Sequence, residues 1–478
     1  MNLRDQVLSS LRWLSAVRFS GQLVSWAITI VVIRLLRPED YGLMALATLV
    51  IGAFQLVNEV GLGSALVQKE ELDQRMLEQV YGLLLATGVA LYLVAFLAAP
   101  SVAGYFEEPQ LTPILRVAGL QLLLMPLEVV PRSMLQRRME FRKKSLVEFA
   151  AMLATSLSTL GLVLLGMGVW ALVLGEIVSV FARVAGTRWA ARHPCRPRFS
   201  LGGLRAVVAF GGVVTADRIL WFVYSRTDVF VIGKLLGKEP LGAYSVAVNL
   251  ASLPTNKISG ILSEVGFSAF SRIQDDRPQV ARQLRRVVRV LAFTSFPVFT
   301  GIAAIAPELV EVALGDEWRL AIFPLQALAL IGPLGMLGGI LMPALMGVGR
   351  PDLGLRARVI ACILMPGAFL VGARWGLDGV AMAWLIVYPV QFLVVLALSL
   401  PVLGLTIRAF LSEMALPLLA SAVMGVAVIA TRGVLEGWMV PGWAVLSALV
   451  LVGAGVYLAS TAALGRRLFT ESLDLLRG

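Results

Sequence analysis

Six basic side chains fall inside the long apolar runs of this sequence: Arg18, Arg116, Arg183, Arg218, Arg226 and Lys257. A charge at the centre of a bilayer costs at least about 2.5–3.5 kcal/mol on insertion scales, so function or internal pairing must offset each one. Arginine suits phosphate, because its planar fork offers paired N–H donors and stays protonated. Arg218 and Arg226 are eight residues apart. On a helix that spacing sets them within about 80° of each other and ~12 Å apart along the axis, within reach of successive positions of one moving anion. Arg18 and Lys257 are further candidates for the same role. The alternative is structural: Asp217 and Asp228 lie beside the two arginines for pairing, and Arg18 can snorkel to an interface. Arg116 and Arg183 are read as structural.

Among the intraspan acids, Glu59, Asp217 and Asp228 are candidates for coupling an ion or proton gradient to transport. Glu128, Glu148 and Glu176 lie nearer to span ends, where partial solvation is expected. Other chemistries lack their residues. Cys195 and Cys362 are the two cysteines and His193 is the single histidine, so neither a zinc site nor a disulfide framework is implied. Phosphate-cradling and dinucleotide-binding motifs are missing. The sequence therefore calls for no metal, no cofactor and no catalytic residue.

The elements that must carry these charges are membrane helices. Hydrophobic residues make up 58% of the 478 and charged ones 15%, against about 25% in ordinary globular chains. Mean hydropathy is +0.84. The apolar residues come in runs of about 20, enough to cross ~30 Å of hydrocarbon. An all-α polytopic membrane protein of about 14 transmembrane helices is predicted. Its first span is Trp13–Leu36, too long for a signal-peptide core and read as uncleaved; the fourth is Leu111–Val130 and the ninth Val287–Ala306. The tenth is Leu320–Met346, and the eleventh, Val359–Gly372, is short and holds Pro366. With the N-terminus inside, cytoplasmic segments hold 28 Lys and Arg and the opposite set 7. Basic loops stay cytoplasmic, so both termini are expected there. Trp170, Trp318, Trp375, Trp438 and Trp443 then fall at the outer interface as an aromatic belt.

The net charge of +11 is parcelled among these short loops. A nucleic-acid face needs one contiguous stripe instead, so no nucleic-acid partner is expected. Two cytoplasmic segments, Arg132–Lys144 and Gln279–Leu291, are strongly basic. In the second, Val280, Leu284, Val287, Val288 and Leu291 form an apolar stripe opposite Arg282, Arg285, Arg286 and Arg289. Such a helix can lie on an anionic leaflet, and the bland alternative is that its charges only set topology.

The chain also repeats itself. Val31–Gly42 is echoed by Val231–Gly242 at an offset of 200, which matches Leu35 to Leu235, Leu36 to Leu236, Glu39 to Glu239 and Gly42 to Gly242. Arg18 falls on Arg218 in the same register. Six spans separate the copies, so both have the same orientation, as in parallel-repeat transporters.

Arg34–Gly42, at the end of the first span, resembles the opening signature of polysaccharide-biosynthesis membrane proteins. So do Asn58–Ala65 and Pro126–Phe141, the segment between the fourth and fifth spans. These are Wzx-type flippases, grouped with multidrug and lipid II exporters. The resemblance implies two pseudo-symmetric six-helix lobes, residues 1–200 and 201–400, with two accessory helices in 401–478. It implies transfer of an undecaprenyl-diphosphate-linked oligosaccharide from the cytoplasmic to the outer leaflet of the bacterial inner membrane, by alternating access. The partners are then the bilayer, the polyprenyl-diphosphate-linked glycan and polysaccharide polymerase or export machinery. Two other readings are a cation-coupled drug antiporter of the same superfamily and a membrane glycosyltransferase or polymerase. An antiporter for cations wants carboxylates where this chain has Arg18 and Arg218; an enzyme wants large outer loops.

Overall fold

A computed structural model describes residues 21–22, 24–59, 73–192, 196–200, 205–273, 276–435 and 441–464; helical residues 57–59, 205–217, 256–269, 271–272 and 464 are described by backbone alone. Among the described residues the chain is helical, with no strand. Nine described segments are long and apolar enough to cross a membrane, one of which, Pro351–Ser399, holds two helices. Contacts divide the chain into two compact units, Met1–Gly242 and Ala243–Gly478.

The first unit contains α1 (Val24–Leu35), α2 (Pro38–Glu59) and α3 (Gln74–Phe106). The fourth span is broken into α4 (Leu111–Ala118), α5 (Leu120–Leu124) and α6 (Pro126–Arg137). Then follow α7 (Phe141–Leu164), α8 (Val169–Ala191) and α9 (Arg205–Leu235). Proline at N1 lacks the N–H that a helix start leaves unbonded, which is why Pro38 and Pro126 open helices rather than break them. Close approach depends on missing side chains: a Cβ on Gly88 would stand 2.6 Å from the Leu122 carbonyl oxygen, and one on Gly175 2.0 Å from Thr159 Oγ1. These two glycines let α3 press on the broken span and α8 on α7.

The repeated segment folds into a reciprocal contact. A Cβ on Gly42 would lie 1.8 Å from the carbonyl oxygen of Lys238, and one on Gly242 would lie 1.6 Å from that of Pro38. Positions 38 and 238, like 42 and 242, are equivalents in the 200-residue repeat. Each copy therefore meets the other through the same pair of positions, a local two-fold arrangement that only glycine admits.

The second unit contains most of α10 (Lys238–Arg272), then α11 (Arg277–Leu309), α12 (Ile322–Gly339) and α13 (Leu341–Gly347). It ends with α14 (Pro351–Gly372), α15 (Gly376–Ser399), α16 (Ile407–Leu435) and α17 (Gly442–Leu464). The eleventh span is longer than its apolar run suggested, since α14 starts at Pro351 and continues through Pro366. Asp276 caps α11 by accepting from Gln279 N at 2.9 Å. The basic stretch Gln279–Leu291 is not a separate surface helix: it is continuous with the ninth span, and Val280, Leu284, Val288 and Leu291 are buried in the unit's core with Phe296 and Phe299. Trp318 is buried at 1% exposure, so it packs inside the protein rather than in an interfacial belt; Trp375 and Trp443 are exposed.

Two ion-pair clamps fasten α16 to α11. Glu413 accepts from Arg285 Nε and Arg289 Nε, both at 2.7 Å. Arg432 grips both oxygens of Glu308, one at 2.7 Å, and donates to the Ala304 carbonyl. Arg289 to Glu308 and Glu413 to Arg432 are each steps of nineteen residues. That is about 28 Å of helix, close to one hydrocarbon thickness. Equal steps hold the two helices parallel and in register, and Tyr457 of α17 adds a hydrogen bond to the Phe293 carbonyl at 2.8 Å.

Candidate functional site

The described polar interior of the first unit gathers on Glu128. This residue sits two positions after Pro126, in the last section of the broken span, and is 7% exposed. Arg132, one turn further on, has Nη1 3.8 Å from its Oε1. Arg183 of α8 approaches from the other side, with Nε 3.5 Å from Oε2. The same guanidinium lies 3.8 Å from Glu176 and donates to Ser179 Oγ at 2.7 Å. Beside the cluster, Gln55 of α2 donates to Gln121 Oε1 at 3.1 Å.

A cavity of about 30 Å³ opens here, lined by Gln55, Leu84, Met125, Pro126, Glu128, Val129 and Arg132. Its rim is polar where Gln55, Glu128 and Arg132 stand and apolar elsewhere. Charge-assisted hydrogen bonds normally close to about 2.7–2.9 Å, so the 3.5–3.8 Å separations leave these ions paired but not in hydrogen-bonded contact. Arg183 turns Nε toward Glu128, Nη2 toward Glu176 and Nη1 toward Ser179, and of these contacts the one to Ser179 is at hydrogen-bonding distance; Arg132 stands 3.8 Å from Glu128 through Nη1. The chemistry on offer is recognition of an oxyanion, with a carboxylate already competing for the same donors.

The residues singled out from sequence fare unevenly. Arg18 lies outside the described residues, as do the side chains of Lys257, Glu59 and Asp217. Arg218 is half-buried on α9. Arg226 is exposed and has no hydrogen bond or ion pair among the described residues, so it is not held by Asp228. Asp228 is buried at 5% exposure, and its Oδ1 accepts from the Val229 N–H at 2.8 Å. Arg116, read as structural, stacks on the Phe96 ring at 4.4 Å, and its buried Nε has no hydrogen-bond partner among the described residues. Among the described residues, no group of three or more metal-ligating side chains comes together.

Sequence reasoning passed over the Glu128 cluster by treating Arg183 as structural and the two glutamates as solvated near span ends. Two signals were available. Glu128 and Arg132 are one turn apart, and Glu176, Ser179 and Arg183 follow i, i+3, i+7 spacing, a polar stripe on one face of an otherwise apolar span.

Residues 31–322 match the family described as polysaccharide biosynthesis protein. The chain is 25% identical over 427 residues to the lipopolysaccharide biosynthesis protein WzxC of Escherichia coli (strain K12), covering 87% of this chain and 86% of that protein. It is 29% identical over 361 residues to the succinoglycan biosynthesis transport protein ExoT of Rhizobium meliloti (strain 1021), covering 74% of this chain and 71% of ExoT. Its fold resembles the lipid II flippase MurJ in an inward closed conformation, with a TM-score of 0.74 at 15% identity, over 95% of this chain and 100% of MurJ. With a family match that spans more than half its length, the chain belongs to the polysaccharide biosynthesis protein family.

Proposed function

We propose that this protein is a flippase that moves a polyprenyl-diphosphate-linked oligosaccharide from the cytoplasmic to the outer leaflet of a bacterial inner membrane for polysaccharide export. The observation that carries this reading is family membership joined to a MurJ-like fold. Relatives are named for lipopolysaccharide and teichuronic acid biosynthesis and, in one case, for succinoglycan biosynthesis transport, which fits a lipid-linked glycan as substrate. The protein is a transporter, not an enzyme.

The finer reading has about 14 helices in two six-helix lobes, residues 1–200 and 201–400, followed by two helices in 401–478, with both termini cytoplasmic. The 28-to-7 basic bias supports that orientation. Arg18, Arg218, Arg226 and Lys257 bind the anionic headgroup, and Glu59, Asp217 or Asp228 couples its movement to an ion gradient. The exposed guanidinium of Arg226, which has no hydrogen bond or ion pair among the described residues, supports its part in this assignment.

Mass spectrometry of lipids that co-purify with the intact protein tests the substrate. Polyprenyl-linked glycans are expected; tight binding of organic cations with no such glycan would favour a drug antiporter. In a cell-surface polysaccharide assay, Arg226→Ala abolishes export while the protein still accumulates. Arg226→Lys recovers only part, since an ammonium keeps the charge and loses the paired donors.

A further inference from the structure

We propose that Arg132 and Arg183 form an oxyanion-binding site in the first unit, in which Glu128 is a resident competitor that the arriving anion displaces. The site takes phosphate or carboxylate oxygens of the translocated headgroup, and it rests on the flippase reading above. It is distinct from the cationic residues assigned there.

Three observations carry it. First, the ions are badly matched as a fastening. Two guanidinia share one buried carboxylate, yet none of the three ion pairs around Arg183 and Arg132 is shorter than 3.5 Å. A pair that served only to hold helices together inside a membrane would be expected to close to hydrogen-bonding distance, as Glu413 does with Arg285 and Arg289 at 2.7 Å. Second, the cluster has an opening. Glu128 and Arg132 line the cavity, and Arg132 is 49% exposed, so an anion reaches Arg132 first and Arg183 only by replacing Glu128. Third, Arg183 is not stranded when Glu128 leaves, because it is also in reach of Ser179 and Glu176.

Chemistry sets the order of events. The entering oxyanion accepts hydrogen bonds from Arg132, then from the Arg183 donors that Glu128 faces but does not fill. Glu128 gains an amide neighbour at hand, since Gln55 lines the same cavity.

The test uses the full-length protein purified in detergent, titrated calorimetrically with farnesyl diphosphate and, separately, with a glucuronate-containing disaccharide. Arg132→Ala and Arg183→Ala each weaken binding by about tenfold, the equivalent of ~1.4 kcal/mol. Glu128→Gln, which removes the competing charge at nearly constant shape, tightens binding by roughly threefold or more. Tightening is the decisive readout, because a merely structural carboxylate would weaken binding or leave it unchanged when neutralised. Should Arg183→Ala fail to accumulate, Arg183→Lys and Glu128→Gln carry the test. Shifts confined to the diphosphate assign the site to the lipid phosphates; shifts confined to the glucuronate assign it to an acidic sugar. If the unaltered protein binds either probe and all variants bind it equally, or if Glu128→Gln weakens it, the site is overturned and the flippase reading stands. If the unaltered protein binds neither probe, the flippase reading falls and takes this site with it.

Discussion

Each unit holds a carboxylate shared by two arginines, and the two are built to different standards. In the second unit, Glu413 accepts from Arg285 and Arg289 at hydrogen-bonding distance, and a second clamp joins Arg432 to Glu308 one membrane thickness away. In the first unit, Glu128 faces Arg132 and Arg183 across 3.5–3.8 Å, next to a cavity. Coulomb attraction falls slowly with distance whereas a hydrogen bond is lost within a few tenths of an ångström. The tight clamp therefore fixes helices, while the loose cluster keeps its charges neutralised and its donors available. Equal composition, two arginines and one glutamate, has yielded a fastening in one place and a recognition element in the other.

The largest expected effect is at the fastening. Arg432→Ala strands Glu308, and removing one partner of a buried pair typically costs about 3–5 kcal/mol in soluble proteins. A fall of about 5–10 °C in the unfolding temperature of the purified protein is expected. The swap Glu308→Arg with Arg432→Glu restores most of it, because the pair is remade with its polarity reversed. An unfolding temperature unmoved by Arg432→Ala would break the comparison outright.

Next is the glycine contact, the place where the first unit is built as tightly as the clamps. Gly42→Ala or Gly242→Ala drives a methyl group into a backbone carbonyl that cannot rotate away, and overpacking of this kind costs about 1–3 kcal/mol. The same thermal assay reads it, and equal losses from the two single variants would follow from their reciprocal geometry. Glu128→Gln should sit below both: its pairs stand beyond hydrogen-bonding distance and the amide also sheds the cost of burying a charge, so stability changes by less than about 1 kcal/mol. A loss as large as that of Arg432→Ala would make the Glu128 cluster a fastening after all.

The smallest effect concerns pH at the exposed turn before α4. Lys234 donates to Glu107 at 2.8 Å, and this hydrogen bond and charge hold the Glu107 carboxyl below the usual carboxylate range. A depressed value means that the contribution is fully present above the ordinary carboxylate pKa and is lost as pH falls through the lowered one. Acid titration of Lys234→Met beside the unaltered protein should show a slight excess loss of stability in the latter alone, over that window.

The membrane class, the helical architecture and the family were legible in the residues themselves, because hydropathy and short motifs act locally. The 200-residue echo was legible too, as a match of types. What the echo does, Gly42 against position 238 and Gly242 against position 38, needed the tertiary structure, since no local rule brings residues 200 apart together. Pairing of charges divides in the same way. Glu128 with Arg132 follows from helical spacing, but Arg183 with Glu128, or Arg289 with Glu413, depends on how each helix is rotated about its axis. Sequence therefore determined which charges the membrane must hold. Only packing, through the glycines and prolines that set how closely and at what angle helices meet, decided which are fastened at contact distance and which are held loosely enough to exchange.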